Sequence, residues 1–159
     1  MLLTSASSDK YYDRRYPELY RGHSVGLLKK PHWLSYEVDL RELLSLSGKE
    51  EVLDVGCGLG VISWEMAKHS KEVVGVDSSD SAIKMARKRF RQENLFFIRA
   101  NILRINFNSR FDVILCLDVV EHLDFKRLTY IFNKFHERLR WRGQLLIKFP
   151  IQGGLGNLI

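Results

Sequence analysis

The chain has only two cysteines, no apolar run long enough to cross a bilayer, no internal repeat and no low-complexity tract. Each absence removes a class of protein. Cys57 and Cys116 stand far apart in apolar segments, which supplies neither a disulfide framework nor the paired spacing of a zinc site. The expected setting is therefore reducing, that of an intracellular, cytoplasmic protein. A membrane-spanning helix needs about 20 consecutive apolar residues, and no stretch approaches that, so no membrane partner is expected. The opening MLLTSASSDKYYDRRY lacks the basic start and apolar core of a signal peptide. What is present is globular: 159 residues, 45% hydrophobic and 28% charged, suit one domain with one substantial core. The formal net charge of +6 permits an anionic partner without requiring one, because charge alone speaks to non-specific attraction.

Residues 1–30 read as an irregular N-terminal arm. Its first ten residues are small and polar; Tyr11, Tyr12, Tyr16 and Tyr20 follow among charges, broken by Pro17, Gly22 and Gly26. The arm is expected to fold over a bound ligand as a lid, since nothing else in the chain closes a site; packing as a satellite cluster is the alternative. Residues 31–159 read as one domain. Pro31 suits the first turn of a helix, and Leu34, Val38, Leu40, Leu43 and Leu44 follow a helical period up to Gly48. Beyond it the elements alternate. EVLDV (51–55), VVGVD (73–77), LFFIRA (95–100), FDVILCL (111–117) and QLLIKF (144–149) read as short apolar strands. Residues 61–69, 80–92 and 125–140 read as helices, the second with Ser78, Ser79 or Asp80 as its N-cap. Only the passage from the third strand to the fourth shows little periodicity. The pattern predicts an α/β fold: a Rossmann-like doubly wound, mainly parallel sheet with helices on both faces.

The segment EVLDVGCGLG (51–60) sets Gly56, Cys57, Gly58 and Gly60 directly between a strand and a helix. In a parallel sheet, ligands bind beyond the carboxyl ends of the strands, where the strand order reverses. Glycine lets the backbone turn tightly and brings amide N–H groups against a ligand. One glycine reads as a tight turn; three at alternate positions read as a cradle. The next strand ends in Asp77, 19 residues beyond Gly58. An acid there is placed to accept hydrogen bonds from both ribose hydroxyls of a nucleoside. Alone it would pass for a helix cap. The glycine order is G-x-G-x-G, which does not match the G-x-G-x-x-G of dinucleotide sites. Asp54, just before the loop, would also repel a pyrophosphate while suiting an ammonium or a sulfonium. The loop thus predicts a zwitterionic, cationic nucleoside.

The run 51–60 resembles motif I of the class I S-adenosylmethionine-dependent methyltransferases, of the methyltransferase type 11/12 kind. The resemblance extends to Asp77, to RANI (99–102), to FDVILCLDVVEHL (111–123) and to RLRWRGQLLIKF (138–149), and so covers about 31–150. It implies S-adenosyl-L-methionine as cofactor and S-adenosyl-L-homocysteine as product. Carried onto this chain, it implies that Gly56, Cys57, Gly58 and Gly60 hold the methionine end through backbone groups. By the same resemblance Asp54 meets the amino end, Asp77 takes the ribose and Ser78 flanks the adenine. Asn101 approaches the adenine amino group with Ile102 on the ring, and Asp118 and Val119 line the pocket wall. The family's sheet closes with an antiparallel hairpin that IQGGLGNLI (151–159) is too short to supply. An open sheet edge is expected, either from truncation or because a dimer mate or partner chain covers it.

Methyl transfer from a sulfonium is an in-line displacement dominated by positioning and desolvation, and the protein needs at most a base. His122, in Asp118-Val119-Val120-Glu121-His122, is the natural general base at neutral pH; a capping or packing role is the equal alternative. Asp118, Glu121 and His122 would also fit around a divalent ion within one turn, but neighbouring acids are more simply read as solvated, and no metal is expected. The chain has no Asn-Pro-Pro-Tyr or Asp-Pro-Pro-Tyr after the fourth strand and no Pro-Cys pair. It therefore does not resemble enzymes that methylate exocyclic amines or cytosine C5. Lys148 and Asp118 match two of the four positions of the ribose 2′-O-methyltransferase set, and Lys148 reads better as a solvated strand-end lysine. Lys84, Arg87, Lys88, Arg89 and Arg91 crowd one helix opposite Ile83, Ala86 and Phe90; without interleaved aromatics they read as a solvated face before an RNA surface. The expected function is methyl transfer to an oxygen or carbon, less readily a nitrogen, of a small-molecule acceptor. The alternatives are an RNA methyltransferase and a catalytically silent cofactor-binding subunit that needs a partner chain.

Overall fold

Alternation of apolar side chains along the strands decides the architecture. Val52, Val73, Val113 and Leu115 fall on one sheet face and Leu53, Val55, Val76, Ile114 and Cys116 on the other, all almost fully buried. Burial on both faces of every central strand requires helices or loops on both sides. The computed structural model describes residues 40–148. The N-terminal arm, the first part of the helix expected after Pro31, and the stretch 149–159 lie outside the described residues. The strands are β1 (Glu51–Val55), β2 (Glu72–Asp77), β3 (Leu95–Arg99), β4 (Phe111–Leu117) and β5 (Leu139–Lys148). They form one parallel sheet in the order β3-β2-β1-β4-β5. The order reverses between β1 and β4, so the predicted Rossmann-like architecture holds and its binding end lies beyond the carboxyl ends of those two strands.

One face is covered by α1 (Leu40–Leu43), α2 (Val61–Ala67) and α3 (Asp80–Arg89), which bring Ile62, Met66, Ile83 and Ala86 onto Val52 and Val73. Of the three caps considered for α3, Ser79 serves: its Oγ accepts the Ala82 N–H at 3.2 Å. Asp80 pairs with Lys84 at 2.6 Å on the exposed side. Arg87 is not merely solvated, because its guanidinium donates to the Phe97 carbonyl and so ties α3 to β3. The other face is covered by α4 (Phe125–Arg138), capped by Asp124, whose Oδ1 accepts the Arg127 N–H at 2.9 Å. Ile131 and Phe135 of α4 pack on Leu53, Ile114 and Val120. The passage 100–110 contains turns and no helix, in line with its weak periodicity. That face of β3 is consequently left open, with Phe96 and Ile98 46% and 38% exposed.

The last strand departs from its expected bounds. It begins at Leu139 rather than Gln144, and α4 runs into it without a loop. Ion pairs explain the early start: Arg140 reaches Glu51 of β1 and Asp112 of β4, each at 2.6 Å, and draws its segment into the sheet. Gly143, read as the residue before the strand, instead sits inside it. Arg142 there takes φ 63°, and a Cβ at Gly143 would stand 2.9 Å from the Arg140 carbonyl. A register shift between Phe111 and Val113 absorbs the irregularity. Among the described residues no helix is long and apolar enough to cross a membrane.

Because Phe135 is 2% exposed and joins α4 to the sheet, Phe135→Ala is expected to cost about 3–5 kcal/mol in urea denaturation. A loss under about 1 kcal/mol would mean that α4 is not anchored there.

Candidate functional site

The glycine loop is shaped by its contacts with the protein itself. Gly56, Gly58 and Gly60 all adopt left-handed backbone, with φ of 73°, 51° and 76°. A Cβ on Gly56 would stand 2.3 Å from Val119 Cγ2, and one on Gly60 would stand 2.4 Å from Phe97 Cζ. Two of the three glycines are thus needed so that β4's following turn and the β3 side chain can close on the loop. The loop's amides are then fixed on the end of β2. Gly56 N–H and Cys57 N–H both donate to the Val76 carbonyl, at 2.7 and 3.1 Å. Gly58 N–H donates to Asp77 Oδ2 at 2.9 Å, and Ser79 N–H donates to Asp77 Oδ1 at 2.8 Å. The buried Asp77 carboxylate therefore joins the glycine loop to the start of α3.

Beneath the loop lies a second buried acid. Period-two alternation puts Asp54 on the same face as Val52, toward α2, where Ser63 Oγ donates to Asp54 Oδ2 at 2.6 Å. Asp54 is 2% exposed. Burial, with the Asp77 charge adding to it and the Ser63 hydrogen bond opposing, pushes its carboxyl up to about 6. Gly75 of β2 gives this polar pocket its room: a Cβ there would stand 2.7 Å from Ser63 Oγ and 3.0 Å from Cys57 Sγ. Burial and the charges of Asp54 and Asp77 push the Cys57 thiol well above its ordinary value, so it stays a neutral thiol. Ser63 and Gly75 were not singled out in the sequence. The glycine interrupting VVGVD carried the signal for one, and nothing local marked the other.

The remaining residues sit around the same end of the sheet. Asp118 follows β4 with φ 55°, and its two carboxylate oxygens accept from Lys148 Nζ at 2.8 and 2.9 Å. Lys148 is thus an ion-pair partner of Asp118 and not the solvated lysine expected. Val119 leads into a 3₁₀ turn, Val120–His122. His122 is 46% exposed in its side chain, with Nε2 3.8 Å from Glu121 Oε1. Ala100 N–H donates to the Asp77 carbonyl at 2.9 Å, which docks the following Asn101 and Ile102 beside that acid. Asn101 Oδ1 accepts the Leu103 N–H at 2.9 Å, and Ile102 packs against the α4-side core. Ser78 is half-buried, and its carbonyl accepts from Arg99 Nε at 3.4 Å. Among the described residues no three His, Cys, Asp or Glu side chains converge as a metal cluster.

The Rossmann-like sheet carries a glycine turn after β1, an acid at the end of β2 and helices on both faces. A family model described as a methyltransferase domain matches residues 52–143, more than half of the chain. The chain belongs to the class I S-adenosylmethionine-dependent methyltransferase family, as the motif resemblance implied. It is 32% identical over 112 residues to the mitochondrial ubiquinone biosynthesis O-methyltransferase of Schizosaccharomyces pombe, which covers 67% of this chain and 40% of that protein. It is 38% identical over 87 residues to the ubiquinone biosynthesis O-methyltransferase of Coxiella burnetii, covering 53% of this chain and 37% of that protein. The chain therefore spans about two fifths of the length of these curated relatives. In fold it is similar to the N-methyltransferase NodS of Bradyrhizobium japonicum, solved with S-adenosyl-L-homocysteine. The TM-score is 0.74 at 23% identity, covering 88% of this chain and 71% of that one.

The raised Asp54 carboxyl gives a measurable linkage. Its unfolded value is 3.8 and its folded value about 6, so the folded state holds the extra proton and its contribution to stability is complete below pH 3.8. That contribution, on the order of 3 kcal/mol at most, is lost as pH rises to about 6. Urea denaturation of the wild type against Asp54→Asn between pH 4 and 7 is expected to show the wild type losing stability relative to the variant. Parallel curves would remove the buried-acid assignment.

Proposed function

We propose that this chain binds S-adenosylmethionine across the glycine loop and the end of β2, and uses it to methylate an oxygen of a small molecule. The observation that carries the reading is the Asp77 carboxylate. Its oxygens accept the backbone N–H groups of Gly58 and Ser79, which fix the carboxylate at the carboxyl end of β2, beside the glycine loop, where the resemblance puts a ribose. The same two bonds hold the acid in place before any ligand arrives, so little ordering remains to be done on binding. The residues fit the cofactor in charge as well. Asp54 and Asp77 lie close enough that the charge of one raises the other's carboxyl, and a cationic ligand relieves that repulsion.

When bound, the cofactor supplies a methyl group already activated on a sulfonium. The chain's residues then have three tasks. Gly56, Cys57, Gly58 and Gly60 present main chain to the amino-acid end, with Asp54 beneath them for the ammonium. Asp77 grips the ribose, while Ser78, Asn101 and Ile102 border the base. Asp118 and Val119 wall the pocket, and His122, half-exposed, is the general base. Oxygen is favoured over carbon or nitrogen as acceptor atom because the relatives named above are O-methyltransferases of ubiquinone biosynthesis. The reading also has a further strand, from a second copy or a partner, pairing with the outer edge of β5, where Trp141 is 90% exposed.

Calorimetric titration with adenosylhomocysteine tests the cofactor site. Asp77→Asn keeps the shape but gives up one charge-assisted acceptor, and is expected to bind about 10- to 100-fold more weakly than the wild type. Unchanged affinity would contradict the ribose assignment.

A further inference from the structure

The basic residues of α3 have no aromatics among them along the helix, but the fold brings one to them across the edge of the sheet. A groove of about 840 Å³ runs over the outer edge of β3, with Val74, Phe96 and Ile98 on one side and Arg87 and Arg91 on the other. Phe96 and Ile98 are exposed there because the passage 100–110 puts no helix on their face. The cations are placed in advance. Arg87 donates from Nε and Nη2 to the Phe97 carbonyl, which holds its guanidinium at the strand edge. Lys88 and Arg91 are exposed on the same helix end, and Arg99, which donates to the Ser78 carbonyl, extends the cationic side toward the carboxyl end of β3. The acids of the groove, Glu72 at the start of β2 and Glu93 two residues before β3, gather at the opposite, amino end. An added β-strand does not suit this edge. Asn94 and Ala100 turn their backbone toward β2, so Phe97 faces outward, and its carbonyl, which such a strand would need, is taken by Arg87. A cationic track beside one exposed aromatic suits a phosphate backbone whose base stacks, and the net charge of +6 has the matching sign.

We propose that this groove is a docking surface for single-stranded RNA. One base stacks on Phe96, its neighbour lies on Ile98, and the flanking phosphates pair with Arg87, Lys88 and Arg91. A duplex keeps its bases stacked on one another and so cannot use the Phe96 face. The surface is separate from the residues assigned to the cofactor. It stands whether or not the chain transfers a methyl group, and it does not make RNA the methyl acceptor.

The test is fluorescence anisotropy of the full chain with a labelled single-stranded RNA of about 12 nucleotides and mixed sequence, with urea denaturation reporting the fold of each variant. The wild type is expected to bind with a Kd of about 1–100 μM and to bind the duplex of the same sequence at least about tenfold more weakly. Phe96→Ala is expected to weaken binding about 5- to 100-fold with its salt dependence unchanged. The Lys88→Ala, Arg91→Ala double variant is expected to lower the slope of log affinity against log salt by about 1.4. Phe96→Trp keeps a stacking face and is expected to bind at least as tightly as the wild type, which decides the matter should Phe96→Ala fail to fold. Binding by Phe96→Ala within about twofold of wild type, or by Phe96→Trp about tenfold weaker, overturns the proposal, as does equal binding of the duplex. A wild type that binds no RNA below about 1 mM, including one that sediments with phosphatidylglycerol vesicles instead, also overturns it.

Discussion

The site depends on one carboxylate placed where two chain segments need it. Asp77 accepts the N–H of Gly58 from the β1–α2 loop and the N–H of Ser79 from the start of α3, at 2.9 and 2.8 Å. Charge-assisted bonds of this kind are each worth about 1.5–3 kcal/mol when buried. They hold the loop's left-handed backbone, which would otherwise leave amides without acceptors beneath the surface. The neighbouring bonds from Gly56 and Cys57 to the Val76 carbonyl extend the same seam. The loop is therefore prearranged, and under the proposed function a nucleoside would meet a carboxylate already in position.

This arrangement costs stability at the carboxyl end of the sheet. Asp54 is buried with its carboxyl pushed up to about 6, Asp118 sits at φ 55°, and Glu121 keeps an oxygen with no donor among the described residues. All three follow or end β1 or β4, the two strands between which the sheet order reverses. Several polar groups elsewhere settle into ordinary roles: Arg140 stitches β5 to β1 and β4, Arg87 closes on β3, and Asp124 caps α4. Three such features gathered at the carboxyl ends of β1 and β4 are what a functional site there would produce, apart from the positive φ of Ser45 and Arg142 elsewhere.

Much of the fold was legible because it follows from short-range periodicity. The strands EVLDV and FDVILCL have the expected bounds, and Ser79 caps α3 as one of three residues considered. The glycines at 56 and 60 were legible as residues but not as reasons. They were read as room for a ligand, whereas Val119 and Phe97 already claim the space a side chain would fill. Long-range pairing was invisible. The start of β5 moved five residues because Arg140 finds acids 89 and 28 residues away, and Lys148 is drawn to Asp118 across a strand pairing. Ser63 escaped notice for the same reason: its significance lies in a buried neighbour, Asp54, and not in any local pattern.

A crystal structure of the full chain grown with adenosylhomocysteine tests the central claim most directly. The account predicts both ribose hydroxyls within hydrogen-bond distance of the Asp77 carboxylate, with the Gly58 and Ser79 bonds to that acid intact. A ligand seated elsewhere on the sheet, or an Asp77 side chain swung away from Gly58 to admit it, would contradict the account.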